Sequence, residues 1–304
     1  MKFFAPEYVQ RFKCTAQNCR HNCCIGWGID VDCETLKLYR TMPDKRIVST
    51  VEKGNDGESC HFRLDSNKRC VNLTEEGLCR IILEHGSDYI PEICREHPRF
   101  YNRTIRGLEM GIGMSCEEAC RIILTSDDYG ISACGISEDV GEDCPKFDSP
   151  KEIKEIYFLL SNKSLPFPER FEKILELYDI PKSIFEDISL WQDVFTSLEY
   201  LDKSHKPLFQ KYNPAKIENS SHPELLERAL AYYIFRHASP AVSLRDFKLR
   251  LALSLVLTLI FASLLSSEKC DDEGASELGR VISEELEYSE DNIDALLLEL
   301  EFLT

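Results

Sequence analysis

The chain has 304 residues, of which 43% are hydrophobic and 29% charged, a composition typical of globular proteins and not of disordered ones. This length is enough for two domains of ordinary size. The net charge of −17 is unevenly spread: residues 1–106 carry 17 basic and 15 acidic side chains, and the remainder carries 19 basic and 38 acidic ones. Such an acidic chain disfavours binding to nucleic acid or to anionic membranes. Its acidic half can attract a basic substrate, or it can simply keep the helices soluble.

The amino terminus, Met-Lys-Phe-Phe-Ala-Pro-Glu-Tyr, has charge and proline where a signal peptide has an apolar run. Residues 251–265 carry no charge and are mostly apolar, but this run is shorter than the roughly 20 residues that a membrane helix needs. We therefore expect a soluble cytoplasmic protein, for which the sequence predicts no oligomeric state.

The first third of the chain predicts short elements. Residues 26–32 alternate like a short strand, and residues 33–42 predict a helix that stops before a proline. Residues 60–64 and 69–73 predict a hairpin-like pair of strands, and residues 78–84 predict a strand or a helical turn.

A second group of elements follows. Residues 100–114 predict a hairpin. Residues 115–124 predict a helix that Ser115 can cap, since Glu118 follows three positions later, as in a capping box. Residues 127–150 are rich in acidic residues, glycine and proline, and we predict a linker there.

Beyond residue 150 the apolar residues recur at helical spacing. Residues 224–237 begin after Pro223, which suits a first helical position. Residues 244–265 are apolar on nearly every face, as the central helix of a bundle is. We therefore predict a mainly α-helical protein: a cysteine-rich metal-binding module of short strands and helices (residues 1–126), the linker, and a helical domain (residues 151–304).

Cysteine is unusually frequent, with 14 residues, 13 of them before residue 145. Many cysteines indicate disulfides in a secreted protein and metal binding in a cytosolic one, so a secreted disulfide protein is the least favoured class here. Four thiols lie within eleven residues, and two of these are adjacent, which makes a disulfide between them difficult. Thiolates prefer zinc or iron–sulfur clusters. The candidate metal ligands are Cys14, Cys19, Cys23, Cys24, Cys70, Cys79, Cys94 and Cys116.

The spacing of these cysteines excludes several common metal motifs. Two CxxC knuckles, as in a zinc ribbon, do not occur, and neither does the Cys-x3-Cys-x2-Cys of radical S-adenosylmethionine enzymes. The bacterial ferredoxin repeat is absent as well. No Gly-x-Gly-x-x-Gly follows a predicted strand, so a doubly wound methyltransferase fold is not predicted, and Gly111-Ile-Gly113 alone is a weak signal.

The pattern resembles the flagellin lysine-N-methylase family, whose cysteine pattern is related to that of small zinc- or iron-chelating bacterial proteins. Position 117, where we expect proline, is Glu117, and His97 stands where tyrosine is usual. The segments that carry the resemblance are Cys19-Arg-His-Asn-Cys-Cys-Ile-Gly-Trp, Arg69-Cys70-x-x-Leu73, Gly77-Leu78-Cys79, Cys94-Arg95-x-x-Pro98-Arg99, Ser115-Cys116-x-Glu118 and Tyr232-Tyr233-Ile234-Phe235-Arg236-His237.

The resemblance implies an enzyme, a protein-lysine N-methyltransferase with an iron–sulfur cluster, expected to be 4Fe-4S, that uses S-adenosylmethionine on flagellin or a similar protein with exposed lysines. Lysine has a pKa of about 10.4, so its amine must lose a proton before it attacks a methyl group. Glu109 is our candidate for handling that amine, and an ion pair with Arg103 or Arg106 is an equally good interpretation.

Several residues near the cysteines are candidates for contacting the cofactors. Arg20, Arg95 and Arg99 either stabilise thiolate charge or hold the carboxylate of S-adenosylmethionine. His21 is a candidate metal ligand or a hydrogen-bond donor to a sulfur, and Trp27 either stacks on adenine or packs beside the cluster.

Arg236 and His237 either reach the site from the helical half or only end a helix. The competing function is a non-catalytic zinc- or iron-binding module with a helical interaction domain.

Overall fold

The computed structural model describes residues 2–54, 57–136, 145–267 and 271–303. Within these residues the strands are β1 (Lys2–Pro6), β2 (Val51–Lys53), β3 (Cys60–Phe62), β4 (Arg99–Thr104), β5 (Gly107–Ile112) and β6 (Ile131–Ile136). The helices are α1 (Cys33–Thr41), α2 (Arg80–His85), α3 (Glu92–Glu96), α4 (Glu117–Leu124), α5 (Ser149–Leu160), α6 (Phe167–Leu177), α7 (Ile188–Ser197), α8 (Lys206–Phe209), α9 (Pro223–Tyr233), α10 (Leu244–Ser267), α11 (Asp272–Ile282) and α12 (Glu290–Leu303). The protein is mainly helical with a few short strands, as predicted.

The chain divides into two compact units. Residues 13–99 form one, which we call the cysteine-rich unit, and residues 1–12 and 100–304 form the other, the helical unit. This division differs from the predicted one, because the first strand and the predicted hairpin belong with the helices. The predicted linker contains strand β6, while its residues 137–144 lie outside the described part of the chain.

A four-stranded sheet explains this division. Its strand order is β4-β5-β1-β6, so the amino-terminal strand lies between elements that are about a hundred residues away in sequence. Strand β1 pairs parallel to β5, with Phe4 opposite Glu109, and antiparallel to β6. Local periodicity cannot reveal such long-range pairing, which is why β6 was predicted as linker.

Helix α10 is the core helix of the helical unit. Its side chains from Leu251 to Leu265 are buried, and α9, α11 and α12 pack against it. By length and composition alone this one described helix could also cross a membrane, but 83% of its most apolar window is buried inside the protein. The predicted central bundle helix is therefore confirmed.

The cysteine-rich unit has a small core of its own around Tyr39 and Phe62, whose rings stack 6.2 Å apart. The predicted helix over residues 33–42 is present as α1, and Asp32 caps it by accepting the backbone N–H of Thr35 at 2.8 Å. The same carboxylate accepts the backbone N–H of Glu92 at 2.9 Å, and so joins the starts of α1 and α3.

Two predictions of local structure need correction. Strand β3 pairs with β2, and residues 69–73 form no strand, but they do pair back on residues 63–65 through the bridge between Leu64 and Cys70 and the hydrogen bond from the N–H of Val71 to the carbonyl of Arg63 at 3.1 Å. Helix α4 starts at Glu117, with Cys116 as its amino-terminal cap residue, and the hydroxyl of Ser115 caps nothing: it is buried without a hydrogen-bond partner. The helix begins later than predicted, so Ser115 lies one position too early to reach its free N–H groups.

Candidate functional site

Backbone pairing brings the separate cysteine segments together. The N–H of Cys70 donates to the carbonyl of Cys24 at 2.8 Å, and the N–H of Gly26 donates to Lys68 at 3.0 Å. Asn22 links the first loop to the loop before Cys79: its side chain accepts from the N–H of Cys24 at 2.9 Å and donates to the carbonyl of Gly77 at 3.2 Å. Three stretches of chain thereby present thiols to one region.

Five of the described cysteines form a single electrostatic group. Burial raises the pKa of Cys94 to about 12, and the charges of Cys79, Cys23 and Cys70 act in the same direction. A hydrogen bond between the adjacent thiols lowers the pKa of Cys23 to about 7 and raises that of Cys24, which also feels the charges of Cys70 and Cys94. The pKa values of Cys24, Cys70 and Cys94 are raised, and a bound cation would remove the repulsion between the thiolates of such a group.

Among the described residues, no three cysteine sulfurs lie within 4.8 Å of one another.

The surroundings of the other three predicted ligands are as follows. Cys14 is exposed, and its sulfur accepts the N–H of Ala16 at 3.4 Å, while the thiol of Cys19 donates to the carbonyl of His21 at 3.2 Å. Cys116 belongs to the helical unit, at the start of α4. Their ligand roles stay predictions.

The aromatic pair beside the cysteines is packed. The indole N–H of Trp27 donates to the carbonyl of Cys23 at 2.7 Å, and its ring meets that of His97 edge to face at 6.1 Å. Burial lowers the pKa of His97 to about 4, so this imidazole is neutral. The geometry resembles the packing alternative for Trp27 more than an open adenine platform.

The predicted cofactor-binding cations are placed as follows. Arg95 donates to the carbonyl of Ile90 at 3.0 Å, and Arg99 donates to that of Arg95 at 3.4 Å. Arg20 is exposed and His21 is half-buried in the first cysteine loop.

Glu109 lies in the helical unit, on β5, with no solvent exposure. Arg106 donates to its Oε1 at 2.9 and 2.7 Å, and the hydroxyl of Ser239 donates to its Oε2. Burial raises the pKa of Glu109 despite these partners. Of the two predicted ion-pair partners, Arg106 is therefore present at this carboxylate.

A second buried polar cluster in the helical unit brings the predicted residues Arg236 and His237 to Glu287, which the sequence did not single out. Its Oε1 lies 2.7 Å from Nε2 of His237 and 3.2 Å from Nε of Arg236, and its Oε2 accepts from Tyr232 at 3.1 Å. Burial alone would raise the pKa of Glu287, but the charge of Arg236 and the hydrogen bonds from His237 and Ser283 together outweigh it, and the pKa is lowered. Burial lowers the pKa of His237, so an ionised carboxylate holds a neutral imidazole. The hydroxyl of Tyr233 is buried nearby without a hydrogen-bond partner.

Two π-helical turns build this cluster. Residues Ile234–Ala238 extend α9 and carry Arg236 and His237, while Ser283–Glu287 extend α11 and end on Glu287. Such turns are rare and occur frequently at functional sites. Strand β5 leads to the same place: a Cβ on Gly113 would lie 2.4 Å from the hydroxyl of Tyr288 and 2.9 Å from Arg236. The space beside Gly113, the second glycine of the Gly-x-Gly pattern, is therefore occupied by the protein's own side chains.

Two further groups of metal-ligating side chains are already held by protein partners. Asp44, Glu84 and His85 surround Arg46, which donates to Asp44 and Glu84 at 2.7 and 2.8 Å. In the group of His205, Glu284 and Glu285, the last carboxylate accepts two backbone N–H groups, from Leu201 and Asp202, at 2.7 and 3.1 Å. These groups stabilise loops.

Comparison with known proteins gives three relatives. The chain is 26% identical over 162 residues to a protein named lysine-N-methylase from Salmonella typhimurium and 25% identical to one of the same name from Salmonella choleraesuis, in each case over 51% of this chain and 40% of the relative. It is 27% identical over 130 residues to the flagellar biosynthetic protein FliU of Salmonella muenchen, over 40% of this chain and 77% of the relative. No family model matches, and no solved structure matches.

These relatives confirm the resemblance to the flagellin lysine-N-methylase family. The matched part of the chain spans less than half the length of the two lysine-N-methylases.

Proposed function

We propose that this protein is an S-adenosylmethionine-dependent protein-lysine N-methyltransferase that carries an iron–sulfur cluster and acts on flagellin or a similar protein in the cytoplasm. The observation that carries the proposal is the convergence of five thiols from separate loops, in a chain similar to lysine-N-methylases.

The donor set fits a cluster. A [4Fe-4S] cluster takes four thiolates, and the group around Cys24, Cys70, Cys79 and Cys94 supplies them with Cys23 in addition. The cluster would supply a rigid, electron-accepting metal centre. The cysteine loops would then be fixed by metal bonds, since few helices or strands join them.

The reaction itself requires a neutral amine. The lysine nitrogen attacks the sulfonium methyl, its new N–C bond forms as the C–S bond breaks, and the electron pair stays on the departing sulfur. A base must first take the ammonium proton, because free lysine is protonated near neutral pH.

The helical unit offers two buried carboxylates for this proton. Glu109, which the sequence suggested, is held by Arg106 and Ser239. Glu287 is ionised behind the neutral imidazole of His237, an arrangement that orients histidine as a general base. We therefore add His237 to Glu109 as a candidate base.

The metal and the activity have separate tests. Purification without oxygen should give a brown protein that contains iron and sulfide and absorbs broadly at about 400 nm. A colourless protein that holds zinc would contradict the cluster and favour the non-catalytic metal-binding module.

Activity is tested by incubating the protein with flagellin and methyl-labelled S-adenosylmethionine, followed by mass spectrometry of the flagellin. We expect labelled methyl groups on lysine side chains. Unlabelled flagellin, with an intact cluster in the protein, would reject the proposed reaction.

A further inference from the structure

Helix α12 presents apolar residues on two opposite faces. One face packs into the helical unit through Asn292, Leu296 and Leu300, which are buried. On the other side Leu298 and Phe302 are 55% and 78% exposed, and they lie four residues apart, so they form one ridge. A second apolar ridge on a helix that is already anchored has no role in the core of this unit.

The start of α10 continues this surface. Arg245 Nη2 contacts Glu301 Oε1 at 2.7 Å, which ties the beginning of α10 to the end of α12. Leu244 and Val242, beside Arg245 in sequence, are 48% and 65% exposed. Large aliphatic and aromatic side chains are thus exposed at one end of the helical unit.

The negative charge of α12 favours a basic partner for this surface. Residues 290–303 contain five acidic and no basic side chains. At 3.6 residues per turn, Asp291, Asp294 and Glu301 share the face of the apolar ridge, and all three are exposed. Glu301 is already paired with Arg245, which leaves Asp291 and Asp294 for a partner. A second copy of this helix would bring like charges together, whereas a basic amphipathic segment would satisfy both the ridge and these two carboxylates.

We infer that the face of α12 formed by Asp291, Asp294, Leu298, Glu301 and Phe302 docks a basic amphipathic helix of the protein substrate. This inference rests on the proposed function, which requires a lysine-bearing protein. Docking at a surface separate from the reacting amine would select a protein and not free lysine, because helix-on-helix contact recognises residues at i, i+3, i+4 and i+7 of the partner.

Direct binding of purified flagellin to the immobilised, cluster-loaded protein tests the surface. We expect the double variant Leu298→Glu, Phe302→Glu to weaken binding about tenfold or more, since exposed aromatic anchors carry much of an interface's affinity. Asp294→Lys should also weaken it, without touching an apolar residue. The matched control is Phe158→Glu on α5, where the phenylalanine is 77% exposed, and it should stay within about twofold of the wild type.

The outcomes separate the possibilities. Equal binding by the double variant and the control, or no binding by the wild type, would overturn the docking surface. So would a wild-type dimer in size-exclusion chromatography with light scattering that Phe302→Glu dissociates, because a second copy would then cover the ridge. Binding is measured without methyl transfer, so flagellin that binds at α12 but gains no methyl group would reject only the reaction.

Discussion

Glu109 shows how burial limits the roles open to a single carboxylate. Its side chain has no solvent exposure, its partner Arg106 also lies 4.8 Å from the centre of the Phe4 ring, and Phe4 is opposite Glu109 in the β1–β5 register. The ion pair lies within the β4–β5 hairpin, and the contact of Arg106 with the Phe4 ring connects it to β1, which is distant in sequence. This arrangement supports a stabilising role at least as directly as a catalytic one.

Glu109→Gln should lower the free energy of unfolding by about 1–3 kcal/mol, because the half-buried guanidinium of Arg106 loses its counter-charge and the buried Glu109 site loses a charge-assisted hydrogen bond. Chemical denaturation measures this change. Glu34→Gln is the control, since its pair with Lys37 is exposed and such pairs contribute little to stability. Unchanged stability with a large loss of methyl transfer would instead identify Glu109 as the base.

His237 and Glu287 give the protein a predictable response to acid. The pKa of each is lowered in the folded state, so the folded protein binds fewer protons than the unfolded chain. The contribution of these two groups to stability is fully present above their pKa values in the unfolded chain. As the pH falls, the contribution of the histidine is lost first, below about 6.5, and that of the glutamate follows below about 4.3.

His237→Gln should remove the first part of this response. Between pH 7.5 and 5.5 the wild type should lose stability by up to about 1.4 kcal/mol per pH unit, and the variant should lose less. Urea unfolding at the two pH values measures the difference. Equal losses would show that His237 does not titrate as its burial requires.

At the scale of elements, the position of β5 depends on how closely its backbone approaches a neighbouring aromatic ring. A Cβ on Gly111 would lie 2.2 to 2.8 Å from three atoms of the Phe100 ring on β4, and the same ring packs 4.7 Å from the guanidinium of Arg236. The glycine thus allows the hairpin to lie against the π-helical turn of residues 234–238.

Gly111→Ala should therefore destabilise the helical unit by about 1–3 kcal/mol, the usual cost of overpacking a filled site. Gly28→Ala is the control, because a Cβ there would meet nothing within 4 Å. Thermal unfolding of the two variants compares them. A melting temperature of Gly111→Ala equal to that of the control would show that the Phe100 ring moves aside without cost.

At the scale of the whole molecule, folding of the cysteine-rich unit should depend on its metal. Its core is small, and its elements are short, so bonds from thiols to metal would replace much of the missing packing. The helical unit has an extensive core of its own around α10.

Cys24→Ala and Cys94→Ala should each lower the iron content and the thermal stability, because both thiols belong to the five-cysteine group. Cys134→Ala should change neither, since this thiol is exposed on β6. Elemental analysis and calorimetry after anaerobic purification measure both properties. Equal iron in all three variants would contradict the proposed ligands.

The sequence by itself determined the features that depend on local pattern. The periodicity of residues 33–42 and 244–265 placed α1 and the buried core helix, the glycines and alternation of residues 100–114 placed the hairpin, and cysteine spacing pointed to the relatives that comparison confirmed. Helical periods and short turns are encoded within a few residues, so a single chain shows them.

Only the tertiary structure decided which distant segments meet. Pairing of β1 with β5 and β6, the link from Asn22 to Gly77, and the contact of His237 with Glu287 all join residues far apart in sequence. Such contacts follow from closing the chain around a shared core, and neither partner carries a local signal of the other. The ordinary run Glu284-Glu285-Leu286-Glu287 therefore reads as a solvated helix face, although the fold buries its last carboxylate completely.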